Sequence, residues 1–131
     1  MRDLFSVTDK HILITGASSG LGEHFARTLS ERGARVSLAA RRIDRLRKLV
    51  EDIRATDGNA QAISMDVSDS KSVAAGFDEA KNHFGAVDVV INNAGTAGRG
   101  PSAEVSDDEW LRIIDVNLNG AWYVAQQAGN K

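Results

Sequence analysis

Short apolar runs alternate along the chain with longer stretches in which apolar residues return every third or fourth position. The first run, His11 to Thr15, carries Ile12, Leu13 and Ile14 in succession, and an unbroken apolar strand predicts burial on both faces, as in the centre of a parallel sheet. Leu21, Phe25 and Leu29 then recur at helical spacing up to Gly33, a residue suited to the left-handed position that closes a helix. Arg35 to Ala40 predicts a second strand. Ile43, Leu46, Leu49, Val50 and Ile53 share one face of a second helix that stops near Asp57 and Gly58. A third strand is expected from Ala60 to Met65, and Ser68 or Asp69 can cap a third helix with Val73, Phe77, Ala80 and Phe84 on its apolar stripe, ending at Gly85. Val87 to Ile91 reads as strand four. Beyond a Gly-rich loop that holds the only proline, Pro101, the pattern Trp110, Ile113, Ile114, Val116 predicts helix to near the chain end, with a kink at Asn119 and Gly120.

Strands and helices in alternation predict an α/β fold, a parallel sheet covered by crossover helices on both faces. The 131 residues form one domain without a low-complexity linker, and a 42% hydrophobic composition is enough for one core. Sixteen basic against eighteen acidic residues leave a net charge of -2, which gives no electrostatic reason to expect nucleic acid or an anionic membrane as partner. The longest apolar run, Ala121 to Ala125, is far short of the roughly 20 residues that span a bilayer. The first ten residues lack the apolar core of a secretory signal, so a cytoplasmic location is the default expectation. With no cysteine, thiolate metal sites and cysteine nucleophiles are excluded, and His11, His24 and His83 lie on different elements without ligand spacing, so no metal site is expected.

Candidate chemistry begins with TGASSGLG, Thr15 to Gly22, which lies between a buried strand and an amphipathic helix, the context of a dinucleotide-binding turn. Gly16 permits the tight turn, Gly20 lets backbone approach a pyrophosphate, and Gly22 lets helix and strand pack closely, while the helix N-terminus favours negative charge. A second loop, NNAG at Asn92 to Gly95, follows strand four directly, and open parallel sheets place their ligands at strand C-terminal ends.

Together with MDV at Met65 to Val67 and VNLNG at Val116 to Gly120, these segments resemble, in order and spacing, the motifs of the classical short-chain dehydrogenase/reductase family. The resemblance runs from Lys10 onward and covers roughly the first half of a family member, its cofactor-binding part. It implies a Rossmann-type doubly wound parallel sheet, with strands one to four in the spatial order 3-2-1-4. By residue-for-residue carry-over it implies that Gly16, Ser18, Ser19 and Leu21, with Gly20 and Gly22 of the same turn, line the pyrophosphate. Asp66 and Val67 would meet the adenine, and Ala94 and Gly95 the ribose-nicotinamide part. Asn93 is expected both to brace the central sheet with its side chain and to border the cofactor.

NAD-binding turns of this kind place an acid after strand two to bond the ribose 2′-hydroxyl. Ala40 stands there instead, and Arg41 and Arg42 offer guanidinium donors suited to a 2′-phosphate. NADP(H) is therefore the expected cofactor, with NAD(H) as the alternative; Ser19, where many NADP-preferring relatives carry a basic residue, leaves that role to the two arginines. The family resemblance further implies a catalytic set of Asn, Ser, Tyr and Lys, in which a tyrosinate is general acid/base and its pKa is lowered by the lysine. Asn117 matches the asparagine, which in the family holds a water linking to the lysine; a polar group bonded to backbone at a helix kink is the other reading of that position. The only tyrosine, Tyr123, has Gln127 rather than Lys four residues on, and reads as core.

The function expected is hydride transfer between nicotinamide and a small-molecule alcohol or carbonyl substrate by a protein that is homo-oligomeric when complete. These 131 residues alone, without Tyr-x-x-x-Lys, are expected to show no turnover. The alternative is a non-catalytic nucleotide-binding sensor or interaction module. The order 3-2-1-4 would also leave strand four as an apolar edge, and Trp122, Tyr123 and Val124 are expected to face outward with nothing to pack on, so that the chain either belongs to a longer one or self-associates.

Overall fold

The computed structural model describes residues 3–130. Four parallel strands, β1 (His11–Thr15), β2 (Arg35–Ala40), β3 (Asn59–Ser64) and β4 (Val89–Ile91), form one sheet in the order β3-β2-β1-β4. Helices α1 (Gly20–Glu31), α2 (Ile43–Arg54) and α3 (Ser70–Phe84) make the crossovers. This is the parallel sheet that the alternation predicts, in the Rossmann-type order that the family resemblance implies.

Successive side chains of a strand point to opposite faces, and β1 divides its residues accordingly. Ile12 and Ile14 join Val36 and Leu38 in a core layer with Leu46, Leu49, Val50 and Ile53 of α2. Leu13 joins Ile63, Met65, Val73 and Phe77 in the layer beneath α3. All five β1 residues are buried, as the unbroken apolar run requires. On the α3 side three polar side chains interrupt the apolar layer. His11 Nδ1 lies 3.0 Å from the Gly85 carbonyl and 3.2 Å from that of Ala86. Two carbonyl acceptors require the proton on Nδ1, so Nε2 accepts from the Ser37 hydroxyl at 2.7 Å. Gln61 in turn donates to Ser37 at 2.7 Å and to the Ala80 carbonyl at 3.3 Å, so each of these three buried side chains has a partner.

Three boundaries differ from the sequence pattern. β3 runs one residue earlier than expected, although Met65 still donates its N–H to Ala40 at 3.1 Å. β4 loses its first two residues because Asp88 turns to His11: its carboxylate accepts the His11 N–H at 2.8 Å, and its own N–H goes to the His11 carbonyl. The final helix is divided into α4 (Asp107–Ile114), a wide π-helical turn (Asp115–Asn119) and α5 (Gly120–Gly129). Its distortion starts at Asp115, ahead of the expected kink, and the backbone stays in the helical region at Asp115 and Gly120, so the helix widens without breaking.

The expected stranding of α5 is corrected as well. Val124 is fully buried in the layer with Leu13 and Phe77, and Tyr123 packs half-buried on the same layer, as a core residue. Only Trp122 of the three faces outward, 62% exposed, because α5 lies against α3 and turns one face into the core. β4 is the sheet edge, as predicted, and Val89 is 42% exposed. No helix of the described residues is long and apolar enough to cross a membrane.

Candidate cofactor site

The loops that leave the C-terminal ends of all four strands meet in one cleft of about 240 Å³. Gly16, Ser18 and Ser19 reach it from β1, Arg41 and Arg42 from β2, Asp66 and Val67 from β3, and Asn93, Ala94 and Gly95 from β4. Positions 79 residues apart in sequence are thereby neighbours. Gly20, Leu21 and Gly22 do not line the cleft; they form the first turn of α1, where a helix leaves its N–H groups without helical partners. The Leu21 side chain is 67% exposed.

The glycine turn is held from behind. Gly16 has φ +65°, a left-handed conformation that side chains oppose. A Cβ on Gly22 would run into the Gly16 carbonyl oxygen and come within 2.7 Å of Asn93 Nδ2, so α1 can press on the turn only with glycine there. Asn93 donates its side-chain amide to the carbonyls of Thr15 at 3.0 Å and Gly16 at 3.3 Å. The Asn93 side chain thus ties the loop after β4 to the end of β1 and to the glycine turn. Ser19 occupies the N-cap of α1 but makes no capping bond, which leaves that helix end open to an anion.

Charge is concentrated where β2 ends. Arg42 Nη2 donates to the hydroxyls of Ser18 at 3.3 Å and Ser19 at 3.4 Å, so it already reaches across to the turn. Neither Arg41 nor Arg42 forms an ion pair among the described residues. Ala40 beside them brings no acid to the cleft. Where β3 ends, the Asp66 carboxylate accepts the Ser68 N–H at 3.0 Å and its hydroxyl at 2.7 Å, and Ser72 accepts the Asp66 N–H. These bonds fix the Asp66 side chain at the rim and leave its second oxygen for a ligand.

Asn117 takes a place that neither sequence reading describes in full. Its Nδ2 donates to the Thr96 carbonyl and its Oδ1 accepts the Thr96 N–H, each at 2.8 Å, so both ends of the carboxamide are committed to backbone. That is the backbone-bonded reading of the position, and one N–H and one oxygen lone pair of the carboxamide stay uncommitted. Asn117 itself does not line the cleft, whereas Thr96 and Val116 do. Thr15, Met65, Thr96 and Val116 were not singled out from sequence; each adjoins or belongs to a motif that was, and that adjacency was the available signal.

The chain matches the short chain dehydrogenase family over residues 10–131. An uncharacterized oxidoreductase of Listeria innocua is 36% identical across 95% of this chain and 54% of its own length. Another, of Staphylococcus saprophyticus, is 42% identical across 90% of this chain and 47% of its own. A short-chain type dehydrogenase/reductase from Mycobacterium marinum superposes with a TM-score of 0.92 at 34% identity, covering 97% of this chain and 51% of that one. The F189W actinorhodin polyketide ketoreductase, solved with NADPH, gives 0.87 at 35% identity, covering 92% and 46%. The chain spans about half the length of the relatives it matches. With this sheet order and four strand ends converging on one cleft, these 131 residues belong to the short-chain dehydrogenase family of oxidoreductases.

Proposed function

We propose that the cleft holds NADP(H) and that the protein transfers hydride between nicotinamide and a small alcohol or carbonyl compound, with these residues as its cofactor-binding portion. The observation that carries the cofactor choice is the end of β2, where Ala40 is followed by two arginines without ion-pair partners among the described residues, opposite the open end of α1. The residues fit the group. Gly16, Ser18, Ser19 and the first-turn N–H groups of α1, Gly20 to Gly22, suit a pyrophosphate. Arg41 and Arg42 suit a 2′-phosphate, Asp66 and Val67 an adenine, and Asn93, Ala94 and Gly95 the remaining half. When bound, NADP(H) supplies the hydride or accepts it. The chain's own part is to orient that cofactor, and Asn117 contributes by fixing the Thr96 backbone at the β4 end. NAD(H), which lacks the 2′-phosphate, is the weaker ligand on this reading.

A homo-oligomeric, cytoplasmic enzyme is part of the same proposal, and the exposed Trp110, Leu111, Leu118 and Trp122 on α4, the π turn and α5 support the oligomer. Equilibrium titration with NADPH and NADH tests the cofactor. NADPH is expected to bind more tightly; equal or tighter NADH binding would overturn the preference, and binding of neither would overturn the dinucleotide reading.

A further inference from the structure

After β4 the chain runs back along one face of α4. Glu109, Ile113 and Asn117 recur every fourth residue, the spacing that stacks side chains on a single helix face, and Arg112 flanks them. The loop meets these side chains in reverse order. Asn117 grips the Thr96 backbone at both polar ends. Arg112 donates from Nη1 to the Thr96 hydroxyl at 2.9 Å and from Nη2 to the Ala97 carbonyl at 3.4 Å. Glu109 accepts the Arg99 N–H at 3.3 Å. The fit is close: a Cβ on Gly98 would lie 3.2 Å from Ile113 Cδ1, and one on Gly95 3.4 Å from Asn117 Oδ1. None of the helix side chains that grip the loop lines the cleft, whereas Gly95 and Thr96 do.

We propose that Arg112 is a positioning residue of the cofactor site, which sets the nicotinamide end of the cleft by orienting the Thr96 hydroxyl. The inference rests on the dinucleotide reading above. If the ribose 2′ group lies at the end of β2 and the pyrophosphate at the glycine turn, the nicotinamide half falls on the β4 side, where Thr96 is. Asn117 fixes only the backbone of Thr96 and leaves its hydroxyl free to rotate. The guanidinium takes one lone pair of that hydroxyl, and the O–H proton is thereby directed to a different side as a donor. A charged donor makes this the strongest side-chain bond to the loop. Glu109 lies 3.8 Å from the same guanidinium and holds it in place.

The test uses two ligands that share the phosphorylated adenosine and differ in the nicotinamide half: NADPH and adenosine 2′,5′-bisphosphate. The Arg112 side chain is half exposed, so Arg112→Ala leaves the core intact, and thermal melting verifies it. Arg112→Ala is expected to weaken NADPH on the order of five-fold and to leave the bisphosphate within about two-fold. Thr96→Val should reproduce the loss without adding to it in the double variant, and Thr96→Ser should restore binding, which a general loosening of the loop would not do. Unchanged NADPH affinity, or equal weakening of both ligands, overturns the inference while the dinucleotide reading stands. An unmodified chain that binds neither ligand ends that reading and the inference with it.

Discussion

Thr15 and Asn93 hold each other reciprocally across the strand ends of the cleft: the Thr15 hydroxyl accepts the Asn93 N–H at 3.0 Å, and the Asn93 side-chain amide donates to the Thr15 carbonyl at 3.0 Å. The same hydroxyl also accepts the N–H of Ala94 at 3.0 Å. One buried oxygen therefore ties the glycine turn to the loop after β4. Thr15→Val keeps the shape and leaves the Ala94 N–H without an acceptor, while the Asn93 N–H keeps the Ile91 carbonyl at 3.0 Å, at a cost of about 1–3 kcal/mol. Thermal unfolding should fall by about 10 °C, and Thr15→Ser should recover most of it. A Val variant that melts with the unmodified protein would show that the tie is unnecessary.

Cofactor preference should follow charge at the end of β2. Ala40→Asp puts a carboxylate where a 2′-hydroxyl would welcome it and a 2′-phosphate would be repelled, so the ratio of NADPH to NADH affinity is expected to invert. Arg41→Ala should weaken NADPH by about 1.5–3 kcal/mol, the range of a hydrogen bond to a charged group, and leave NADH nearly unchanged. Calorimetric titration of both cofactors against each variant reads the outcome. Parallel losses for the two cofactors would remove Arg41 from the 2′-phosphate role.

Acid sensitivity is expected from His11. Burial pushes its imidazole below the ordinary value of 6.5, and the nearby Arg35 adds to that, while the Gly85 and Ala86 carbonyls and Asp88 oppose it with less effect. The unfolded chain therefore binds the proton more readily than the folded one, and stability drops as pH falls below about 6.5 toward the folded value. Asp88 is shifted down as well, chiefly by the His11 N–H that it accepts, so its contribution is present above 3.8 and is lost only in more acid solution. Urea midpoints between about pH 7.5 and 5 should slope in the unmodified protein and flatten in His11→Gln. Equal slopes would place the acid sensitivity elsewhere.

The 131-residue chain by itself is expected to self-associate at micromolar concentration. Val89 on the edge strand, Trp110 and Leu111 on α4, Leu118 in the π turn and Trp122 on α5 are all exposed, and an open apolar edge invites pairing. Sedimentation over a concentration series is the measurement. A single monomeric species throughout would refute the expectation. A milder form, in which Trp122→Lys reduces association without lowering the melting temperature, would identify α5 as part of the contact.

Strand and helix order was legible in the sequence because burial leaves a periodic trace. β1 is an unbroken apolar run since it is covered on both faces, and α2 carries its buried residues at helical spacing. The glycine turn of the cleft was legible for a related reason: a left-handed Gly16 and a Gly22 without room for a Cβ leave the sequence little other choice at those points. Tertiary structure alone decided the rest. That the Asn117 side chain is spent on the Thr96 backbone, that Arg112 reaches the same residue, and that Val124 turns into the core depend on which elements happen to lie opposite. Hydrogen bonds between residues 16 to 79 positions apart leave no period in the chain, since each partner is locally an ordinary polar residue. The sequence specified the elements and the glycines that shape the cleft, and only packing determined which side chains hold it open.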